Sequence, residues 1–152
     1  LLEVWEEFFA YRANPKHFNI YVHPTTPYNF PAHSVFHNRT ISKHKTVKWG
    51  TFGLVEASRL LYEAALLHDP DNQFFVLLSE SCIPLYSFSK WYRVLTTSPS
   101  PKSVVNACPF DNERAMERDA RWRSELDRSP HMKKEFWRKS GEWVMLIRKH
   151  AE

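Results

Sequence analysis

Glycine is nearly absent: Gly50, Gly53 and Gly141 are the only three in 152 residues. A loop that cradles phosphate with its backbone needs glycines close together, so neither a P-loop nor a dinucleotide fingerprint can be built here. Cysteine is scarce too. Cys82 and Cys108 either pair as a disulfide or remain two thiols, and their spacing does not choose. No stretch nears the roughly 18 consecutive apolar residues of a membrane span, and no signal peptide is visible. The chain opens Leu1-Leu2-Glu3 with no initiator Met, in what reads as a helix, so it reads as a fragment and the missing targeting segment carries no weight. No Gly-x-Ser-x-Gly or Cys/His signature marks a nucleophile. The eight His are scattered; His33 and His37 share i, i+4 spacing, but in a segment that does not read as helix and without the Glu of a His-Glu-x-x-His zinc site.

What is abundant is aromatic: six Trp and eleven Phe, a content that suits a packed core and excludes a disordered or low-complexity chain. A single domain over residues 1–152 is expected, long enough to bury a core without staples. The net charge of +4 permits a polyanionic partner, yet the Arg/Lys-rich last third is interleaved with Asp and Glu and reads as a solvated surface. Asn38-Arg39-Thr40 is an N-glycosylation sequon in a loop-like stretch, which makes Asn38 a candidate glycosylation site.

Helix and strand patterns alternate. Leu1, Val4, Trp5, Phe8 and Phe9 recur at helical spacing until Asn14-Pro15. Phe18 to His23 reads as a strand stopped by Pro24, and residues 24–44, with three prolines, as loop. A brief strand is expected at 45–48. Residues 53–67 form a helix, with Leu54, Ala57, Leu60, Leu61, Ala64 and Leu67 on one face. Asp69-Pro70-Asp71-Asn72 is a turn. Phe74-Phe75-Val76-Leu77-Leu78 is an uninterrupted apolar run, as in a strand buried on both faces. Ser87 or Ser89 caps a helix running to about Leu95, 102–107 is a further strand candidate, and 143–147 a last one before a helix starting near Arg148. The alternation implies an α/β sandwich with a mostly parallel sheet, in which 18–23, 74–78 and 103–107 share one sheet.

Ligands in such sheets bind beyond the carboxyl ends of the strands. That singles out His23 to Thr26, Lys48 to Thr51, Ser79 to Pro84 and the stretch after Ala107. Ser79-Glu80-Ser81-Cys82 sets hydroxyls and one carboxylate straight after the most buried strand; it reads equally as a Ser-rich turn. Asp69-Pro70-Asp71 mimics the Asp-x-Asp that holds manganese and a diphosphate in many glycosyltransferases. It precedes its strand instead of following it, so it is assigned to a turn.

The run from Phe74 to Leu85, with Val47-Lys48-Trp49-Gly50, Ala65-Leu66-Leu67, Asp69 to Asn72 and Trp137-Arg138-Lys139, resembles the plant and algal branch of the core-2/I-branching β-1,6-N-acetylglucosaminyltransferase family. The likeness spans most of residues 5–151 and is most specific between 47 and 86. It implies a GT-A-like nucleotide-sugar-binding α/β/α sandwich, incomplete at both ends, with the opening strand expected before Leu1. It implies inverting transfer from a UDP-sugar (GlcNAc-like, glucuronic acid or xylose) to a glycan or glycoprotein, without metal or other cofactor. Members are type II proteins of the Golgi membrane, so a lumenal domain held by an N-terminal helix outside this chain is expected. On this reading His23, Thr25, Trp49, Ser79, Glu80, Ser81 and Cys82 face the donor, although Trp49 is nearly as readily a core residue closing a strand. Pro24-Thr25 stands where the family commonly has an acidic residue for the nucleoside. Arg121, Trp122, Lys139 and Trp143 face the acceptor, but no glutamate is evident upstream of Arg121-Trp122, around Val105 to Cys108. Lys139-Ser140-Gly141-Glu142-Trp143 is similar to the family's Lys-Gly-Ser-Gln-Trp. The catalytic base, the Glu of an Asp-Glu-His stretch, is expected beyond Glu152. Two other readings stand beside it: a sugar-nucleotide- or carbohydrate-binding module without activity, and a basic nucleic-acid-binding domain. The interleaved acids and the core spacing of the aromatics speak against the last, so no nucleic-acid partner is expected.

Overall fold

The computed structural model describes residues 1–11, 13–107, 122–128, 130, 131, 133–138 and 140–152. They divide into two compact units, residues 1–103 with 145–152, and residues 104–144.

In the first unit, helix α1 (Leu2–Ala10) exists because Trp5, Phe8 and Phe9 need one common face. Those rings meet Phe18, Phe36, Phe88 and Trp91 in a cluster of edge-on and tilted pairs with centroids 4.8–6.4 Å apart. Phe88, only 2% exposed, sits at its centre as the first residue of helix α3 (Phe88–Thr96). Ser87 takes the N-cap position of α3 as expected, but its side chain makes no capping bond. Glu6 of α1 accepts from the Ser34 hydroxyl and from the Val35 N–H (3.0 Å), which fastens the turn at 34–36 to the helix.

Helix α2 (Gly53–His68) matches its periodicity almost residue for residue. Ala57 and Ala65 are buried, and Tyr62 meets Phe75 ring to ring at 6.4 Å, so α2 lies on strand β1 (Phe74–Val76). Leu67, expected on the apolar face, is 79% exposed, because the helix ends one residue later and the chain turns away there.

The sheet departs from expectation. Among the described residues it has two strands, β1 and β2 (Met145–Ile147), and they run antiparallel with Phe74 opposite Ile147 and Val76 opposite Met145. The described residues therefore form a mixed helix-and-strand unit with a small sheet, consistent with an α/β class, and not a mostly parallel sandwich. Two physical reasons are visible. The stretch 18–23 spends its backbone elsewhere: Val22 N–H donates to Arg39 C=O and Val22 C=O accepts from Ile41 N–H, both at 2.9 Å, a lone parallel bridge to Thr40. Ser103 approaches β2 through its side chain, its Oγ accepting the Ile147 N–H at 3.0 Å where a ladder bond would stand. Residues 45–48 and 102–107 form no strand. Helix α4 (Arg148–Ala151) follows β2 at the position the sequence suggested.

A polar hub closes the unit where α2 ends. Asn19 Nδ2 donates to Asp69 Oδ2 (2.8 Å) and Asn72 Oδ1 (2.9 Å), and Asn72 Nδ2 donates to the Tyr21 hydroxyl (3.0 Å) and Ala65 C=O (2.8 Å). Arg148 reaches over to donate to Leu66, Asp69 and Asn72 carbonyls at 3.1–3.3 Å, taking up orphan groups that the helix end leaves open.

The second unit, described only in part, holds 3-10 turns at Ser124–Arg128 and Lys134–Phe136 and an edge-on pair of Trp122 and Trp137 at 5.5 Å. Arg138 donates to the carbonyls of Glu135 (2.7 Å) and Trp137 (2.9 Å).

Candidate functional site

Beyond Val76 the chain leaves β1 through Leu77 and Leu78 and folds at once into a tight polar turn. Cys82 N–H donates to Ser79 C=O (3.2 Å), and Ser81 N–H to Ser79 Oγ (3.2 Å). The two serine hydroxyls lie 2.8 Å apart, and Ser79 Oγ is 3.4 Å from the Cys82 sulfur, which also accepts the Ser79 N–H at 3.4 Å. Small hydroxyl residues favour such geometry because their side chains bond the backbone two or three positions away. Cys82 is a free, half-buried thiol. Glu80 stands exposed at the tip, with no hydrogen bond or ion pair among the described residues. The turn thus offers two hydroxyls and one unengaged carboxylate at the exit of a strand whose middle residue, Phe75, is 5% exposed.

His23 and Trp49 are positioned by a different device. His23 Nε2 accepts the Lys45 N–H at 3.2 Å, and its ring stacks on His44 at 4.8 Å with an 8° tilt. His44 Nε2 donates to Pro24 C=O at 2.5 Å. Ion pairs from Lys43 to Glu63 and from Lys45 to Glu56 tie this segment to α2. Trp49 then sits in the turn entering α2, where Thr51 donates twice to Lys48 C=O and Gly50 adopts φ +76°, a conformation costly for residues with a Cβ. Trp49 is 89% exposed, so it is not a core residue closing a strand. Thr25 is exposed in a bend. No hydrogen bond or ring contact among the described residues joins His23, Thr25 or Trp49 to the turn at 79–82.

Of the residues expected to face an acceptor, Trp122 packs on Trp137 and Trp143 is 45% exposed, while Arg121 and Lys139 lie outside the described residues, as does Cys108. Asn38 is exposed in a turn with φ +57°, a left-handed conformation that asparagine tolerates better than most side chains. The Asp69–Asp71 pair is a turn, as its position before the strand implied. Asp69 Oδ1 accepts the Asp71 N–H at 2.8 Å, and this bond, followed by the one from Asn19, holds its carboxyl below the usual range. Among the described residues, no group of three or more His, Cys, Asp or Glu is arranged to hold a metal ion.

Two features escaped sequence reasoning. One is the tie from α1: the Trp5 indole N–H donates to Cys82 C=O at 3.0 Å, across 77 residues. The other is an open cleft of about 390 Å³ lined by Phe74, Leu95, Ser98, Pro101, Ile147 and Lys149 among others, which contains none of the nominated site residues.

With that geometry in place, the comparisons are specific. The family model for the Core-2/I-Branching enzyme matches residues 1–152. A rice protein (Oryza sativa subsp. japonica) named glycosyltransferase BC10 is 34% identical over 153 residues, covering 98% of this chain and 35% of its own length. The chain thus spans about a third of the length of that curated relative. No solved structure matches the chain.

Proposed function

The chain belongs to the core-2/I-branching enzyme family, and on that premise we propose that it forms the donor-side part of an inverting glycosyltransferase. The reaction moves a sugar from a UDP-sugar to a hydroxyl of a glycan or glycoprotein. A base takes the hydroxyl proton, the oxygen attacks the anomeric carbon from the face opposite the nucleotide, and the bond to the diphosphate breaks with UDP departing as the anion. The observation that carries the proposal is the family match over residues 1–152. The polar turn at the exit of β1 supports it, since that is where a nucleotide-sugar fold of GT-A type receives its donor.

In this reading Ser79, Ser81 and the free Glu80 carboxylate hydrogen-bond the donor, and exposed Trp49 offers an aromatic face to the uracil. His23, Thr25 and Cys82 complete the donor side, and Arg121, Trp122, Lys139 and Trp143 belong to the acceptor side. Glu80 serves as a donor contact and not as the base. Only one carboxylate stands in the turn, so leaving-group charge is met by hydrogen bonds and basic residues, and transfer proceeds without a metal. The full-length protein works in the Golgi lumen, anchored in the membrane.

The test is ligand titration. UDP, UDP-GlcNAc, UDP-xylose and UDP-glucuronic acid are added to the isotopically labelled protein, followed by amide shifts. Saturable shifts at 79–82 and Trp49, lost in a Ser79→Ala/Ser81→Ala double variant, support the assignment; absence of binding by all four overturns it. Transfer by the longer family protein should survive chelator, and loss restored by manganese overturns metal independence. A second reading, binding without transfer, is favoured by Pro24-Thr25 standing where a nucleoside-binding carboxylate is expected. It is distinguished by donor binding with no turnover in the longer protein.

A further inference from the structure

The turn at 79–82 has few means of holding its place. Its internal bonds close the loop on itself but do not fix it to the body of the protein. Before it, the last deeply buried residue is Phe75 (5% exposed); after it, the next is Phe88 (2%). Between them Leu78, Ile83, Leu85 and Tyr86 are 45%, 56%, 82% and 57% exposed, and Leu77, Cys82 and Pro84 are only half-buried, so no residue flanking the turn is anchored by deep packing. Pro84 keeps Ile83 extended and, having no N–H, donates no backbone hydrogen bond to the body. Among the described residues, one hydrogen bond reaches the turn from another element: the Trp5 indole N–H to Cys82 C=O, 3.0 Å.

The Trp5 ring cannot drift to follow the loop. Phe8 meets it edge-on at 5.3 Å and Phe9 stacks on it at 6.0 Å, so its orientation is dictated by the aromatic cluster. Cys82 C=O is the carbonyl that closes the turn's last residue, directly after the sulfur that accepts from Ser79. Fixing that carbonyl pins one end of the turn whose internal bonds set the two hydroxyls.

We infer that Trp5 is the positioning residue of the donor-side turn: a rigid indole on α1 that holds Ser79–Cys82 in its binding geometry without touching the ligand. The inference rests on the donor-side reading above for its functional meaning. Preorganising a loop lowers the ordering cost of binding, so releasing it should show in affinity.

The experiment replaces Trp5 by 3-benzothienylalanine, which keeps the fused-ring shape and substitutes sulfur for the N–H, and in parallel by Phe. Amide exchange at residues 79–82, UDP affinity and thermal midpoint are measured for each. The expected result is faster exchange at 79–82 and UDP affinity weakened by roughly three- to tenfold, the scale of one net hydrogen bond, with the benzothienyl variant melting close to wild type. A purely structural Trp5 would instead lower the midpoint and leave exchange and affinity of the folded protein unchanged. Unchanged exchange and affinity in the benzothienyl variant overturns the inference. If the wild-type protein binds no UDP, the donor reading fails, and exchange alone decides: acceleration confined to 79–82 upholds Trp5 as the tie, and none refutes it.

Discussion

Replacing Arg148 with Met tests whether the polar hub is a structural clamp. The substitution keeps an unbranched stem and removes the guanidinium. Three contacts to the carbonyls of Leu66, Asp69 and Asn72 at 3.1–3.3 Å disappear, together with the ion pair to Glu152 at 3.2 Å. Hydrogen bonds to a charged group contribute about 1.5–3 kcal/mol each, but all three are long, and the abandoned carbonyls recover some water. The set is therefore worth about 2–4 kcal/mol, well short of the sum. The Glu152 partner is 60% exposed and adds only about 0.5 kcal/mol. At about 2–4 °C per kcal/mol for a domain of this size, Arg148→Met should lower the melting temperature by roughly 5–15 °C, and Glu152→Gln by about 2 °C at most. Calorimetry or circular dichroism reads both. If Arg148→Met melts within a degree of wild type, or Glu152→Gln costs as much, the clamp is not what holds α2 to the sheet.

Tyr62 carries a buried hydroxyl with no partner among the described residues, and burial raises the pKa of that phenol. Tyr62→Phe should therefore be neutral or stabilise by up to about 1 kcal/mol in a denaturant melt; a clear loss would reveal a partner. Asp69 has a lowered carboxyl pKa, so its contribution is present above the unfolded value and is lost as pH falls through the folded one. The acid limb of the stability–pH curve should be shallower in Asp69→Asn, and an identical slope in the two proteins refutes the linkage. Expressed through a eukaryotic secretory pathway, the protein should carry a glycan on Asn38 that Thr40→Ala abolishes. Thr40 is the right target because changing Asn38 itself would also disturb a left-handed turn. Mass spectrometry showing an unmodified Asn38 in wild type rules the site out.

Local periodicity made the helices legible: 53–67 became Gly53–His68, and the strand-then-helix signal at 143–148 became β2 and α4. The apolar run at 74–78 also announced its strand, but an apolar run does not encode its partner or direction, and the pairing proved antiparallel. The segment 18–23 has strand composition and yet no ladder, because Val22 bonds a loop brought close by the turns at 34–38. Trp49 was nearly as readily a core residue closing a strand as a donor-facing one, and its 89% exposure beside the Gly50 turn excludes the core alternative. The turn at 79–82 was visible from its hydroxyls. The residues that hold it and the hub, Trp5 and Arg148, were not, since each acts on carbonyls 76–82 positions away. Carbonyls carry no sequence signature.

The pairing of β1 with β2 has a consequence for synthesis. β1 is complete at Val76, but Met145, the first residue of its partner, is made roughly 70 residues later. At about 5–20 residues per second on the ribosome, that is roughly 4–14 s during which Phe74–Val76 lacks the ladder to β2. The aromatic cluster needs nothing beyond α3, so it can assemble in that interval and bring Trp5 to the turn while the sheet is still open. Closure then waits for residues 145–152, which deliver strand, arginine clamp and helix α4 together. A nascent chain stalled before Met145 should accordingly present β1 to chaperones, or to the β1 of a neighbouring copy.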